Sequence, residues 1–210
     1  MTKKGFTLSE VLITLGIIGV VVALTMPSII ANYQKEKTVS YVKKFYNEIN
    51  NAVRMAVVDN GDVELWMPEA KQNTYSQNLE FLSEYLLPYI NYLKYENCND
   101  KKVCVYLTYG MFSFRVDENG GDIVFFINSK YERYPKNYFA FQFNKNNTNN
   151  KAFVEPYYYR WNGNENSLNS TVWGGCNKNA PEDAKYAYCT KWIQMNNWKI
   201  PDNYPWNVRK

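Results

Sequence analysis

After a basic start at Lys3 and Lys4 the chain turns apolar, and Phe6-Thr7-Leu8-Ser9-Glu10 leads into a hydrophobic run that continues through Ile30. No charged residue occurs between Val11 and Gln34. A helix needs about 20 mostly apolar residues to cross a bilayer, so residues 6–31 are predicted to form a membrane-spanning helix. Pro27 lacks an amide hydrogen and crowds the preceding turn, and is expected to kink or unwind that helix near residues 23–27. Farther on the pattern changes to apolar positions at three- and four-residue steps: Val42, Phe45, Ile49, Ala52, Val53, Ala56 and Val57, with Lys43, Lys44, Glu48, Asn51 and Arg54 between them. Residues 32–61 therefore read as the amphipathic half of the same helix. It should close at Asp59-Asn60-Gly61, where Gly61 can take the left-handed conformation. Together the two halves make a rod of roughly 50 residues, ~75 Å at 1.5 Å per residue.

The pattern after residue 61 is that of a head, residues 62–143. A connecting loop is expected over 64–76, and Leu79, Leu82, Tyr85, Leu86, Tyr89, Ile90 and Leu93 mark a second amphipathic helix, strained or broken at Pro88. Strand-like runs follow at 103–109, 111–116, 123–128 and 138–143, and Asp117-Glu118-Asn119-Gly120-Gly121 is a hairpin signal between two of them. An antiparallel sheet laid on the amphipathic half of the first helix would bury both apolar faces, so the expected class is α+β. Residues 144–150 form a polar break. With that break as its start, residues 144–210 read as a cysteine-containing appendage rich in Trp and Tyr, with a short helix from Pro181 to about Met195. Its rings are expected to pack over the sheet; exposed, they could stack on sugars or on a partner subunit.

The N-terminal segment allows three readings: a cleaved secretory signal, an ordinary single-pass anchor, or a prepilin leader. A secretory signal would end at a small-residue cleavage site, but Ala23-Leu24-Thr25-Met26-Pro27 runs on apolar to Ile30. An ordinary anchor leaves Glu10 unexplained, because a carboxylate at the edge of a hydrophobic span is costly without a partner. Lys3-Lys4-Gly5-Phe6-Thr7-Leu8-Ser9-Glu10 and the apolar helix after it resemble the N-terminal motif of the type IV pilin and pseudopilin superfamily. The resemblance covers about a seventh of the chain, and Ser9 stands where the family more often has a bulky aliphatic residue. It implies cleavage after Gly5 by prepilin peptidase, methylation of the new amino terminus at Phe6, and pairing of Glu10 with the terminal amine of a neighbouring subunit. It also implies that residues 1–5 are cytoplasmic and that everything after about Asn32 lies outside the inner membrane. Charge alone would not fix this orientation, since lysines flank the span on both sides.

Composition narrows the rest. With 210 residues the chain has room for one domain and an extra element. A formal net charge of +4, spread along the sequence, gives no basic stripe of the kind that follows a phosphate backbone, so nucleic acid is not an expected direct partner. There is no histidine, which removes the usual general base and the commonest transition-metal ligand. No P-loop, GxGxxG or HExxH pattern is present. Asp117 and Glu118 are adjacent in a turn and fit a solvated hairpin better than a catalytic pair. No enzymatic activity and no cofactor are expected. The segment 125–141 faintly resembles a loop and strand of pseudopilin heads that often carry an Asp-x-Asn-Gly turn, but here the turn reads Asn128-Ser129-Lys130, so no metal is assigned.

Cys98, Cys104, Cys176 and Cys189 all follow the span, and an even count outside the cytoplasm points to disulfides. Of the three connectivities, Cys98 with Cys104 and Cys176 with Cys189 close the shortest loops. A zinc site is the rival, poorly served without a CxxC pair or a histidine. The expected function is that of a structural subunit of a type IV pilus or type II secretion pseudopilus. Its partners would be other pilin or pseudopilin subunits, the peptidase, the inner-membrane assembly platform and, before assembly, membrane lipid. The alternative is a minor tip subunit whose head acts as an adhesin or ligand-binding module, and a third reading, an anchored enzyme, would need a cleft with convergent acids.

Overall fold

The computed structural model describes residues 5, 7–66, 74–99, 101–117, 120–144 and 152–207. Its first element, α1 (Leu8–Asn60), is a helix of 53 residues shared by two compact units, Met1–Lys37 and Thr38–Lys210.

In the first unit α1 is apolar and unbroken. Of the kink or unwinding expected near Pro27, unwinding is absent, since the helix continues on either side of the proline. The proline withholds one amide donor, and nearby hydroxyls supply local bonds: Thr25 Oγ1 donates to Val21 O at 2.9 Å and Ser28 Oγ to Thr25 O at 2.8 Å. Ser and Thr side chains are a common way for a transmembrane helix to tolerate proline.

The second unit is α+β. Here α1 buries Val42, Phe45, Ile49, Ala52, Val53 and Ala56, the residues whose spacing marks one helical face. The helix ends at Asn60, and Gly61 takes φ +79° while its amide donates to Val57 O. Against it lies a six-stranded antiparallel sheet in simple sequential order: β1 (Lys94–Asn99), β2 (Lys102–Leu107), β3 (Gly110–Asp117), β4 (Gly120–Phe126), β5 (Tyr138–Asn144) and β6 (Val154–Pro156). Alternation along β3, β4 and β5 aims Phe112, Ile123, Phe125 and Phe141 at the helix. The Phe45 ring stacks on Phe125 at 4.7 Å between centroids and meets Phe112 and Phe141 at 5.4 and 5.5 Å. Burying a phenylalanine stabilises by roughly 1.5–3 kcal/mol, so this cluster dominates the helix–sheet contact. Polar anchors flank it. Asn50 Nδ2 donates to Val154 O at 2.9 Å and Asn50 Oδ1 accepts from Val154 N at 3.0 Å, while Tyr109 Oη donates to Glu48 Oε2 at 2.6 Å.

The connection from α1 to the sheet differs from expectation. A 3₁₀ turn, Val63–Leu65, stands where a loop was expected to begin. α2 (Tyr75–Phe81) starts at a capping box in which Thr74 Oγ1 accepts from Gln77 N. It passes into one π-helical turn, Leu82–Leu86, and a 3₁₀ turn, Leu87–Tyr89, that contains Pro88. The second helix is thus three short pieces that stop before Leu93. Proline accounts for the last change of pitch, because its ring cannot fit an α-helical interior.

Two strands are additional to the four expected. β1 carries Lys94, Glu96 and Asn97 and is exposed, so it has no hydrophobic alternation to announce it. β6 is three residues long and ends in proline. The hairpin expected at 117–121 joins β3 to β4, with Glu118 and Asn119 outside the described residues.

The described part of the tail, residues 152–207, is built into the head. Its β6 extends the sheet beside β5, and Ile193, Tyr204 and Trp206 lie in the same core as Phe45. The tail helix, α3, spans Cys189–Met195 and does not begin at Pro181. Residues 182–188 are successive turns, with Tyr186 at φ +69°, and Tyr186 N and Tyr188 N donate to Gly175 O and Gly174 O. Those bonds to a neighbouring loop replace the helical ones. Gly174, at φ +83°, has to be glycine, because a Cβ there would come within 2.6 Å of the Tyr188 ring.

Candidate functional site

The site begins with residues whose local chemistry fixes where a helix starts. Thr7 caps α1: its Oγ1 accepts from Glu10 N at 3.2 Å, and Glu10 Oε2 accepts from Thr7 N and Thr7 Oγ1, each at 2.8 Å. This is a reciprocal capping box, which satisfies two otherwise orphaned amides. The Thr7-x-x-Glu10 spacing is its signature and is present in the sequence, although Glu10 there pointed only to a neighbouring chain. The carboxylate at the helix N-terminus also complements the helix dipole.

The helix begins at Leu8, three residues beyond Gly5. Gly5 is exposed and non-helical, with no atom within 4 Å of where a Cβ would stand. Phe6 lies outside the described residues. From Leu8 to Ile30 the apolar side chains point outward, and none of the stretch long and apolar enough to cross a membrane is buried. Gly16 and Gly19 are likewise open, so other helices can approach closely there. Thr14 Oγ1 donates to Val11 O at 3.0 Å, which leaves this hydroxyl needing no water. Pro27 sits inside this stretch.

The cysteines belong to the head. Cys98 is bonded to Cys104 across the β1–β2 hairpin, and Cys176 to Cys189, which ties a loop to the first residue of α3. Among the described residues no group of three or more Cys, Asp or Glu side chains is placed to hold a metal ion. At the turn after β4, Asn128 Oδ1 accepts from Lys130 N, and Ser129 is left-handed.

Residues 1–26 match the family model for the prokaryotic N-terminal methylation motif. With the exposed apolar helix and its capped start, this defines the chain as a pilin-like or pseudopilin precursor, in a class of structural subunits processed by prepilin peptidase and assembled with other subunits. The motif and the helix together fit anchoring in the inner membrane before assembly. Residues 28–208 match a second model, described as a family of unknown function (DUF6613), and the chain belongs to that family. No curated protein and no solved structure matches it.

Proposed function

We propose that this chain is a structural subunit of a type IV pilus or a type II secretion pseudopilus, polymerised through the first part of α1. Prepilin peptidase cuts after Gly5, Phe6 becomes the methylated amino terminus, and the head stands outside the cytoplasm. The assembly platform then lifts the apolar stretch out of lipid and into a bundle of identical or related helices. The observation that carries this reading is the stretch Leu8 to Ile30, apolar and wholly without cover in its own chain.

Glu10 supplies the registration. In the single chain its carboxylate is held by Thr7. In a filament the ammonium of a neighbouring Phe6 offers a full charge in a low-dielectric setting, where attraction is strong and an unpaired charge is expensive. Mass spectrometry of the mature N-terminus, in cells with and without the peptidase, tests the reading. N-methylated Phe6 in the first and residues 1–5 retained in the second is the expected pair of results. A native protein that keeps Met1 to Gly5 in peptidase-competent cells refutes it.

A further inference from the structure

The face of the sheet turned away from α1 is only partly covered by the tail, and where the cover ends a cleft of about 320 Å³ opens. Its size is at the lower end of ligand pockets. The floor is a row across three strands, Arg115 opposite Asp122 and Asp122 opposite Gln142, with Asn144 beside it. Tyr157 and Tyr159 line its side. Gly120 and Gly121 are already required by the backbone, since a Cβ on them would lie 2.5 and 2.6 Å from the carbonyls of Phe143 and Arg115. They contribute backbone and no side chain to the cleft.

The polar groups are fixed in place. Arg115 Nη2 donates to Asp122 Oδ2 at 2.5 Å, Gln142 Oε1 accepts from Tyr158 N at 3.0 Å, and Gln142 Nε2 donates to Asn144 Oδ1 at 2.8 Å. Tyr159 is exposed yet held: its ring lies 6.1 Å from Trp173, and the Arg160 guanidinium stands 5.3 Å from both rings. Groups locked before a ligand arrives lose little entropy on binding it.

The chemistry selects among ligands. Among the described residues that line the cleft Arg115 is the cation, and its guanidinium is paired with Asp122, so the floor presents a neutralised pair rather than a bare positive charge for a phosphate, sulfate or carboxylate. A purely apolar ligand would strip water from a carboxylate and two amides without replacing their bonds. A compound with adjacent neutral hydroxyls and an apolar C–H face meets both demands: carboxylate and amides bond the hydroxyls, and an open tyrosine ring covers the C–H face.

We propose that this cleft is a binding site for a neutral saccharide. The site lies within the second compact unit and is independent of how the apolar stretch of α1 is used, so its failure would leave the filament reading standing. The full-length protein, purified in a detergent without a sugar headgroup, should be titrated with immobilised neutral oligosaccharides, namely maltose-, cellobiose-, lactose- and chitobiose-type probes. Sialylated and sulfated versions serve as comparison arms. Saturable binding to at least one neutral probe is expected, weakened roughly tenfold by Tyr159→Ala, which removes an exposed ring, and by a similar factor by Asp122→Asn. Tyr95→Ala, an exposed ring on β1, should leave binding unchanged. Three results overturn the proposal: no neutral probe binds, an anionic probe binds better than its neutral counterpart, or Tyr159→Ala binds as the wild type does.

Discussion

One helix contains two regions governed by different partners. From Leu8 to Ile30 the apolar side chains of α1 are exposed, whereas from Val39 to Ala56 the apolar face is covered by the sheet of the same chain. Both stretches are helical, the first apolar on every side and the second apolar on one face with charged residues on the other. The difference is where the cover comes from. The second stretch finds it during folding of a single chain, so its residues set the stability of the head. The first finds none there, and under the proposed function lipid and then sibling helices provide it, so its residues set assembly.

The sharpest way to break that comparison is to truncate one residue of each kind. Phe45→Ala should lower unfolding stability by about 3–5 kcal/mol, through lost transfer energy and a cavity beside Phe125. Leu15→Ala should leave the same denaturant midpoint within about 0.5 kcal/mol while reducing recovery in sheared filaments. Equal destabilisation by the two would abolish the distinction.

Alkaline pH probes the head by another route. Burial raises the Tyr138 phenol to about 12, and raises Tyr204 as well. The neutral form is the one folded, so the stability these groups contribute is complete below the ordinary phenol range near pH 10 and is lost as pH climbs through 10 towards 12. Each costs about 1.4 kcal/mol per pH unit in that window. Melting curves should be flat with respect to these tyrosines from pH 7 to 9 and fall steeply above 10, and a head equally stable at pH 11.5 would contradict their burial.

Replacing Cys176 and Cys189 together by serine should cost about 3 kcal/mol, since a crosslink closing a loop of that length chiefly restrains the unfolded chain. The loss should appear in the head's thermal unfolding and not in the helicity of the N-terminal stretch. Asn50→Ala should cost roughly 1–3 kcal/mol, because it orphans the amide and carbonyl of Val154 in a buried site. The smallest effect belongs to Thr7→Ala, about 0.5–2 kcal/mol of local helix stability. It should be visible as faster hydrogen exchange at the first turn of α1, with the head's midpoint unmoved; a shifted midpoint would mean the cap supports more than the helix start.

Much of the architecture was legible because it depends on short-range pattern. Gly61 ends α1 where the sequence places it, and β2, β3, β4 and β5 lie on apolar runs bounded by turn residues. Other elements had no such pattern. β1 has no apolar alternation, with its Tyr95 ring exposed, and becomes a strand because β2 offers it a ladder and Cys104 a covalent tie. β6 is too short and proline-ended to declare itself, and is held by Phe143 and Asn50. The turns before α3 look like a helix start until Gly174 and Gly175 compete for their amides. In the candidate sites, Thr7 was readable from its spacing to Glu10, but the cleft was not, because Arg115, Asp122, Gln142 and Tyr159 are brought together by strand register and by a segment far along the chain.

The sequence by itself determined a membrane-length helix, its closing glycine and the succession of helical and strand patterns from which the α+β class was expected, since each rests on the pattern of residues a few positions apart. Only the tertiary structure decided that the tail belongs to the sheet and that a polar cleft forms at its margin. Those depend on which backbone groups find partners at long range, and that competition is settled when the whole chain is packed.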